Sequence, residues 1–280
     1  MIDTHQHLLY PGRFQYPWTE NLSPLQGNFR LDEYRNASAG LDIEGTLFME
    51  VDVDRAQSID EARFFSRMAE NPANKLLGVI ASARPENDDF ETHLDTIHHP
   101  AVKGIRRVLH TQPDELSRLP SFRQNIARLA ARGLTFDLCV LPAQLTIAAE
   151  LVDSCPNVSF ILDHCGVPDI AGEARDPWHD SLRDISSRPN VICKVSGLPA
   201  YSPPDAVTTE TIRPWVEHAV DCFGWDRLVW GGDWPVCNLT ASLNQWVKVT
   251  HEIFAEESAE NRDKIYARNA RRIYSLDPTS

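Results

Sequence analysis

The sequence predicts a single α/β domain, an eight-stranded (β/α)8 barrel over residues 1–280. Three observations support this fold class: short β-rich runs alternate with longer amphipathic segments, eight such runs can be counted, and no linker, repeat or low-complexity tract interrupts the chain. Parallel strands joined by helices form α/β folds, and eight strands can close into a barrel without leaving an edge. A doubly wound open sheet is the alternative.

Eight runs rich in β-branched and aromatic residues have the length of strands. We predict strands at Ile2–His7, Gly45–Val51, Leu76–Ala81, Val102–Val108, Leu134–Val140, Val158–His164, Val191–Ser196 and Arg227–Gly232. Apolar residues spaced three or four apart predict helices at Arg55–Glu70, Asp88–Ile97, Ser121–Ala131, Ala143–Ser154, Pro177–Ser186 and Thr209–Phe223. Two further helices are expected to close the chain.

The charge balance excludes several classes of partner. The chain has 27 Lys and Arg against 40 Asp and Glu, a net charge of -13, so its field repels phosphate backbones and anionic membranes. The first ten residues lack the basic start and apolar core of a signal peptide, and no apolar run approaches the length of a bilayer span. We therefore expect a cytoplasmic protein with a small-molecule partner, and its oligomeric state is left open.

The first inter-strand connection, residues 8–40, is long and carries aromatic residues. Tyr16 and Trp18 offer apolar faces and polar tips, which suit a ring-shaped polar ligand. We predict that both bind substrate from a loop that walls or covers the pocket. Ordinary packing of this loop on the barrel is an equal alternative.

The strongest chemical signal is His5-Gln6-His7. Two histidines separated by one residue in a strand point to the same face. At the C-terminal mouth of a barrel, where catalytic groups collect, they would bind a divalent ion or hold a carbonyl group. A coincidental surface pair is the alternative.

Two other strand ends carry candidate catalytic groups. His164 ends an apolar strand in Ile161-Leu162-Asp163-His164-Cys165-Gly166, and a histidine bonded only to neighbouring backbone is the alternative. Strand parity predicts that Asp163 points the opposite way and fixes the loop or an adjoining strand. Asp233 follows two glycines after the last strand, which presents a carboxylate at the mouth, and we predict that it is the general base. A helix cap is the alternative role for Asp233.

The fourth and seventh strands add polar candidates. Arg106 and His110 share parity and are predicted to bind substrate, the arginine through its planar fork of donors. A surface ion pair is the alternative for Arg106. Lys194 and Ser196 also share parity, but their role is left open.

Together these motifs resemble the amidohydrolase superfamily, in the branch of sugar-lactone and pyrone-dicarboxylate lactonases. The resemblance runs nearly end to end. It rests on IDTHQH, GIRRVLH at Gly104–His110, ILDHCG, VSGL at Val195–Leu198, GGDWPVCNL and NARRIY at Asn269–Tyr274. It implies an amidohydrolase-type TIM barrel that hydrolyses a lactone ester, with His5 and His7 on the first strand and Asp233 on the last.

The resemblance also frames the cofactor prediction. Many amidohydrolases hold two metals, with a carboxylated lysine or glutamate on the fourth strand and histidines on the fifth and sixth. Only His164 matches such a histidine, which argues against a binuclear centre. One divalent ion, zinc by ligand preference, is predicted at His5, His7 and Glu50. Catalysis by histidines and arginines without metal is the alternative.

The predicted function is hydrolysis of a small lactone, with a sugar aldonolactone preferred because only Arg106 stands out as a pocket arginine and a dianion calls for more. The alternatives are a dicarboxylate lactonase, a related decarboxylase on the same barrel, and an inactive sugar-binding barrel.

Overall fold

The computed structural model describes residues 1–276, in which eight parallel strands form one sheet in the sequential order β1 to β8. The strands are Ile2–Gln6, Gly45–Met49, Leu76–Ser82, Val102–Val108, Thr135–Cys139, Phe160–Leu162, Val191–Val195 and Leu228–Trp230. The sheet closes because the Asp233 N–H donates to the His5 carbonyl at 2.8 Å and the His7 N–H to the Trp234 carbonyl at 2.8 Å. The predicted barrel is confirmed, and the doubly wound sheet is wrong.

The helices alternate with the strands as predicted. Numbered α1 to α10, they span Leu31–Ala37, Ser58–Ala69, Phe90–Thr96, Pro120–Ala127, Leu145–Ser154, Trp178–Ser186, Thr209–Phe223, Leu243–Ile253, Ala259–Asp263 and Asn269–Ile273, with a π-helical turn at Lys264–Arg268. In the part of the chain that is described, no helix combines the length and the apolar character of a membrane span.

The barrel interior is divided into an apolar floor and a polar upper part. Side chains from six strands fill the floor: Ile2, Leu47, Ile80, Ile161, Ile192 and Val229. Ala270 of the last helix and Tyr274, which directly follows it, belong to this cluster and cover the bottom of the barrel. Filling by branched residues makes the interior a packed core rather than a channel, so chemistry is confined to the opposite end.

A second, larger apolar layer lies between the strands and the surrounding helices. Phe48 of β2 and Phe65 of α2 stack with their ring centroids 3.5 Å apart, and Trp178 of α6 packs against Trp215 of α7 at 5.2 Å. These contacts fix the helices against the barrel wall. The strand ends that carry the polar groups are thereby held on a rigid frame.

Candidate active site

Four sequence-predicted side chains meet at the barrel mouth. The His5 Nε2 atom lies 3.2 Å from His7 Nε2, and Asp233 Oδ1 is 3.6 Å from each of these nitrogens. The rings of His5 and His164 lie 4.6 Å apart between centroids. All four residues are buried. Three imidazoles and a carboxylate from strands β1, β6 and β8 therefore face one point.

The local sequence explains this convergence at the seam, which is the junction where the ends of β1 and β8 close the barrel. A Cβ at Gly231 would lie 2.7 Å from the His5 Cβ, so only glycine lets the two strand ends approach this closely. The buried carboxylate of Asp3 ties the seam, since its Oδ1 accepts the N–H groups of His5 at 3.0 Å and Gly232 at 2.7 Å. Asp233 then adopts a left-handed backbone with φ 54 and turns its side chain inward.

Hydrogen bonds set the direction of two imidazoles. His7 Nδ1 lies 3.0 Å from the Met49 carbonyl, which can only accept, so neutral His7 keeps its lone pair on Nε2. His164 Nδ1 lies 2.9 Å from Ser196 Oγ, which leaves Nε2 for the centre. Burial lowers the pKa of His164 and holds that of His5 well below its usual range. His5 and His164 are therefore neutral near pH 7.

A charged layer lies directly beneath these rings. Lys194 Nζ, fully buried, is 2.6 Å from Asp137 Oδ2, 2.9 Å from Asp163 Oδ1 and 3.4 Å from His5 Nδ1. Burial would raise the pKa of Asp163, but Lys194 and then His5 outweigh it and hold this pKa well below normal. Burial raises the pKa of Asp137 to about 7, although Lys194 opposes the shift. Lys194 thus supplies a fixed positive charge under the site.

Arg106 is held at the mouth by a neighbouring strand. Its Nε donates to Glu50 Oε1 at 2.6 Å, and its Nη2 donates to the Glu50 carbonyl at 2.7 Å. Nη1 faces inward, 3.5 Å from His5 Nε2 and 3.6 Å from Asp163 Oδ2. The alternative of a surface ion pair is wrong for Arg106, because the guanidinium is buried beside His5.

Asp163 contacts the adjoining strand β7 through Lys194 at 2.9 Å, as one predicted alternative has it, but the prediction that it points away from the site is wrong. Parity arguments assume that the strand continues, but β6 ends at Leu162 and the next residues turn out of the sheet. His164 and Cys165 have φ 56 and φ 52, in the left-handed region. This turn lets both Asp163 and His164 reach the barrel interior.

The mouth opens into a cavity of ≈ 270 Å³. Its wall includes Trp18, Arg106 and His110, each predicted to bind substrate, and Trp18 is fixed by its indole N–H, which donates to the Val51 carbonyl at 2.8 Å. Tyr16 lies elsewhere, since its hydroxyl accepts the Tyr10 N–H at 2.9 Å and its ring lines a separate depression within the β1–α1 loop. The structure thus brings three of these four residues together.

Several residues of the site were not assigned from the sequence. They are Asp137, Asp163, Lys194 and Ser196 beneath or beside the rings, and Cys139 and Tyr201 in the cavity wall. A usable signal existed for two of them. Asp137 and Lys194 are lone charges inside otherwise apolar strands, and a buried charge requires a partner. Nothing in the sequence distinguishes Tyr201 from other tyrosines except its position shortly after VSGL.

The donor set fits one divalent ion. Ligand atoms from His5, His164 and Asp233 all lie within 4.8 Å of one another. His7 Nε2 lies 3.2 Å from His5 Nε2 and 3.6 Å from Asp233 Oδ1. These distances are close to the separation of about 3.3–3.4 Å between ligand atoms around tetrahedral zinc. The charged side chains around this site comprise two cations, Lys194 and Arg106, and four carboxylates, which are Asp137, Asp163, Glu50 and Asp233. A divalent cation would offset this negative excess.

Glu50 is placed differently from the other predicted ligands. Its Oε1 binds Arg106, and its Oε2 accepts the Asp52 N–H at 2.8 Å. The geometry therefore assigns Glu50 to holding Arg106. Its predicted role as a metal ligand stays a prediction.

Comparison with known proteins now decides the family. The amidohydrolase family model matches residues 2–276. The chain belongs to the amidohydrolase family. This amidohydrolase falls in the lactonase branch, since its relatives include proteins named as lactonases, so the family predicted from the motifs is confirmed.

Two curated relatives illustrate the likeness of this amidohydrolase to lactonases. It is 30% identical to the L-fucono-1,5-lactonase of Burkholderia ambifaria over 290 residues, covering 100% of this chain and 97% of the relative. It is 25% identical to the L-rhamnono-gamma-lactonase of Scheffersomyces stipitis, covering 99% and 98%.

Solved structures share the fold of this amidohydrolase. A crystal structure of an amidohydrolase from Burkholderia multivorans with bound zinc superimposes with a TM-score of 0.89 at 24% identity, covering 99% of each chain. A putative 2-pyrone-4,6-dicarboxylic acid hydrolase from Pseudomonas putida has a TM-score of 0.76 at 19% identity, covering 99% and 97%.

Proposed function

We propose that this amidohydrolase hydrolyses a small lactone, with a neutral sugar aldonolactone as the preferred substrate class. The observation that carries the proposal is the meeting of His5, His7 and Asp233 within 3.2–3.6 Å of one another beside a cavity of ≈ 270 Å³. The names of the lactonase relatives support hydrolysis of a lactone ester bond.

In the proposed reaction, Asp233 takes a proton from water as the water oxygen attacks the lactone carbonyl carbon. The carbonyl oxygen becomes negative and is stabilised by the inward Nη1 of Arg106 and, when no ion is bound, by an N–H of His164. A divalent ion, zinc by ligand preference, would supply further positive charge for that oxygen when bound at the His5, His164 and Asp233 group. The protonated Asp233 then returns its proton to the departing ring oxygen, which completes the hydroxy acid.

The charged layer supports the role of Asp233. Asp163 and Asp137 are occupied by Lys194 at 2.9 and 2.6 Å, and Glu50 is occupied by Arg106 at 2.6 Å. Asp233 is the carboxylate of this group that also lines the cavity. It can therefore reach a water molecule and a substrate there.

The pairing of Arg106 favours a neutral lactone over a dicarboxylate. Arg106 is already bound to Glu50 and lies 3.6 Å from Asp163, so much of its charge is offset within the protein. Burial and the neighbouring Arg106 lower the pKa of His110 to about 4, so His110 adds no charge near pH 7. A dianion would call for more unpaired positive charge than this wall provides.

One screen tests the proposal. Aldonolactones and dicarboxylate lactones are offered to the wild-type protein with a pH indicator, with and without chelator, while carbon dioxide is monitored. Acid release from an aldonolactone supports the proposal, carbon dioxide indicates the decarboxylase, and a thermal shift without turnover indicates an inactive sugar-binding barrel. Asp233→Asn is expected to fold normally and to lower kcat about a hundredfold or more, and near-normal turnover would reject Asp233 as the base.

A further inference from the structure

A cysteine and a histidine meet in the wall of the mouth cavity. Cys139 Sγ lies 3.2 Å from His110 Nδ1, and both residues line the cavity. The pair is held by the backbone as well, because the His110 N–H donates to the Cys139 carbonyl at 3.1 Å. Cys139 ends β5 and is 3% exposed. The imidazole of His110 is thus anchored to the barrel through one ring nitrogen.

Both members of the pair are neutral. Burial and then the charge of Arg106 lower the pKa of His110, while burial raises the pKa of the Cys139 thiol. A thiolate beside an imidazolium is therefore disfavoured. In a neutral pair, a ring nitrogen lone pair is a strong acceptor, whereas thiol sulfur is a weak one, so the Cys139 S–H donates to His110 Nδ1.

This direction fixes the proton on the other nitrogen. A neutral imidazole carries one N–H, and if Nδ1 accepts, then Nε2 is the donor. Within residues 1–276, no protein group is hydrogen-bonded to His110 Nε2. The ring therefore keeps one unused donor on the side away from Cys139, and His110 lines the cavity.

We propose that Cys139 is a positioning residue that holds His110 with its Nε2–H as a hydrogen-bond donor to an oxygen of the substrate. The inference rests on the proposed lactone hydrolysis and narrows it. The lactone oxygen that meets His110 is a hydroxyl or ring oxygen without negative charge, because a neutral donor does not balance a charge. Cys139 acts through His110 and takes no part in bond breaking.

Two amide variants of His110 test the donor. Glutamine places its amide N–H₂ near the position of Nε2, whereas asparagine places it near Nδ1. His110→Asn is expected to lower kcat/KM about tenfold, mainly through KM, as expected for the loss of one neutral hydrogen bond, and His110→Gln is expected to lose clearly less. Equal losses in the two variants would overturn the donor role. Thermal unfolding midpoints identify any variant that fails to fold.

A second measurement needs no substrate. In protein labelled with ¹⁵N-histidine, the ring nitrogens of His110, assigned from the signal missing in His110→Gln, are expected to show the Nε2–H form. Cys139→Ser keeps a donor and should keep this form, whereas Cys139→Ala should shift the ring toward the Nδ1–H form. An Nδ1–H signal in the wild type, or no change in Cys139→Ala, would overturn the inference.

The two readouts separate the possible failures. If no lactone is turned over but the tautomer responds to Cys139 as expected, the proposed function fails and the positioning of His110 stands. If lactones are hydrolysed but substitution of Cys139 does not change which ring nitrogen of His110 is protonated, the positioning role of Cys139 is rejected and the proposed function stands. The fraction of kcat/KM kept by Cys139→Ser relative to Cys139→Ala then reports the contribution of the donated hydrogen bond.

Discussion

Replacing Lys194 with methionine tests whether the charged layer beneath the rings is held by its buried cation. Methionine preserves much of the side-chain volume but leaves Asp137 and Asp163 without the ammonium at 2.6 and 2.9 Å. Removing one partner of a buried ion pair costs about 3–5 kcal/mol, and here the removed partner serves two carboxylates. We expect a loss at the upper end of that range in the free energy of unfolding. This is a large part of the about 5–15 kcal/mol that stabilises a typical protein.

The assay is urea unfolding followed by tryptophan fluorescence and circular dichroism, at pH 8 and pH 5. In Lys194→Met, Asp137 and Asp163 lose their ion-pair partner, and the folded-state pKa values of both carboxyls should therefore rise. A raised folded pKa gives stability that is present at low pH and lost as the pH rises through that pKa. The deficit relative to wild type at the same pH should therefore be smaller at pH 5 than at pH 8.

The surface offers a matched control. Lys264 also contacts two carboxylates, Asp226 at 2.9 Å and Glu260 at 3.6 Å, but both of these carboxylates are exposed to solvent. Lys264→Met should change the unfolding midpoint far less, because exposed ion pairs contribute little. A Lys194→Met deficit below about 1 kcal/mol, or one equal at both pH values, would show that packing rather than buried charge stabilises the layer.

Three further outcomes are expected. Asp3→Ala should cost about 1–3 kcal/mol of unfolding free energy in chemical denaturation, because it removes the oxygen that accepts two buried N–H groups where β1 meets β8; no loss would contradict the role of Asp3 in joining these strands. Gly197→Ala should cost about 1–3 kcal/mol and lower kcat, because φ is +68 and a Cβ would lie 2.3 Å from His164 Nδ1; unchanged kinetics would exclude that contact. Burial lowers the pKa values of His5, His110 and His164, so unfolding takes up protons below the ordinary histidine pKa of 6.5. The free energy of unfolding should therefore fall as the pH drops below 6.5, and the contribution of His110 should be lost by its folded-state pKa of about 4. A urea midpoint that does not change with pH would refute this.

The fold could be predicted because two independent patterns agree. Apolar runs of strand length and amphipathic segments of helix length alternate without interruption, and β4 and α7 have the bounds Val102–Val108 and Thr209–Phe223 that the sequence predicts. β3 extends one residue beyond its predicted end, to Ser82, and the remaining strands are shorter than predicted. β6, for instance, is Phe160–Leu162, because the hydrophobic run continues into a turn that burial alone does not distinguish from a strand.

The site was predictable to the extent that side chains lie on regular strands. His5 and His7 face one point, as their spacing predicts. The orientation of Asp163 depends on the left-handed turn at His164, a backbone feature that alternation cannot indicate. The contacts of Lys194 depend on which strands are neighbours across the barrel interior, and that follows only from the closed structure.

The seam tied by Asp3 joins the first strand of the chain to the last. His5 lies near the N-terminus, whereas Asp233 comes from the segment that bonds its N–H to the His5 carbonyl. A nascent or truncated chain that has not yet added β8 lacks both the final join of the cylinder and the carboxylate that we propose as the base. Recovery of turnover during refolding would then report the moment when the first and last strands meet, later than any signal from secondary structure.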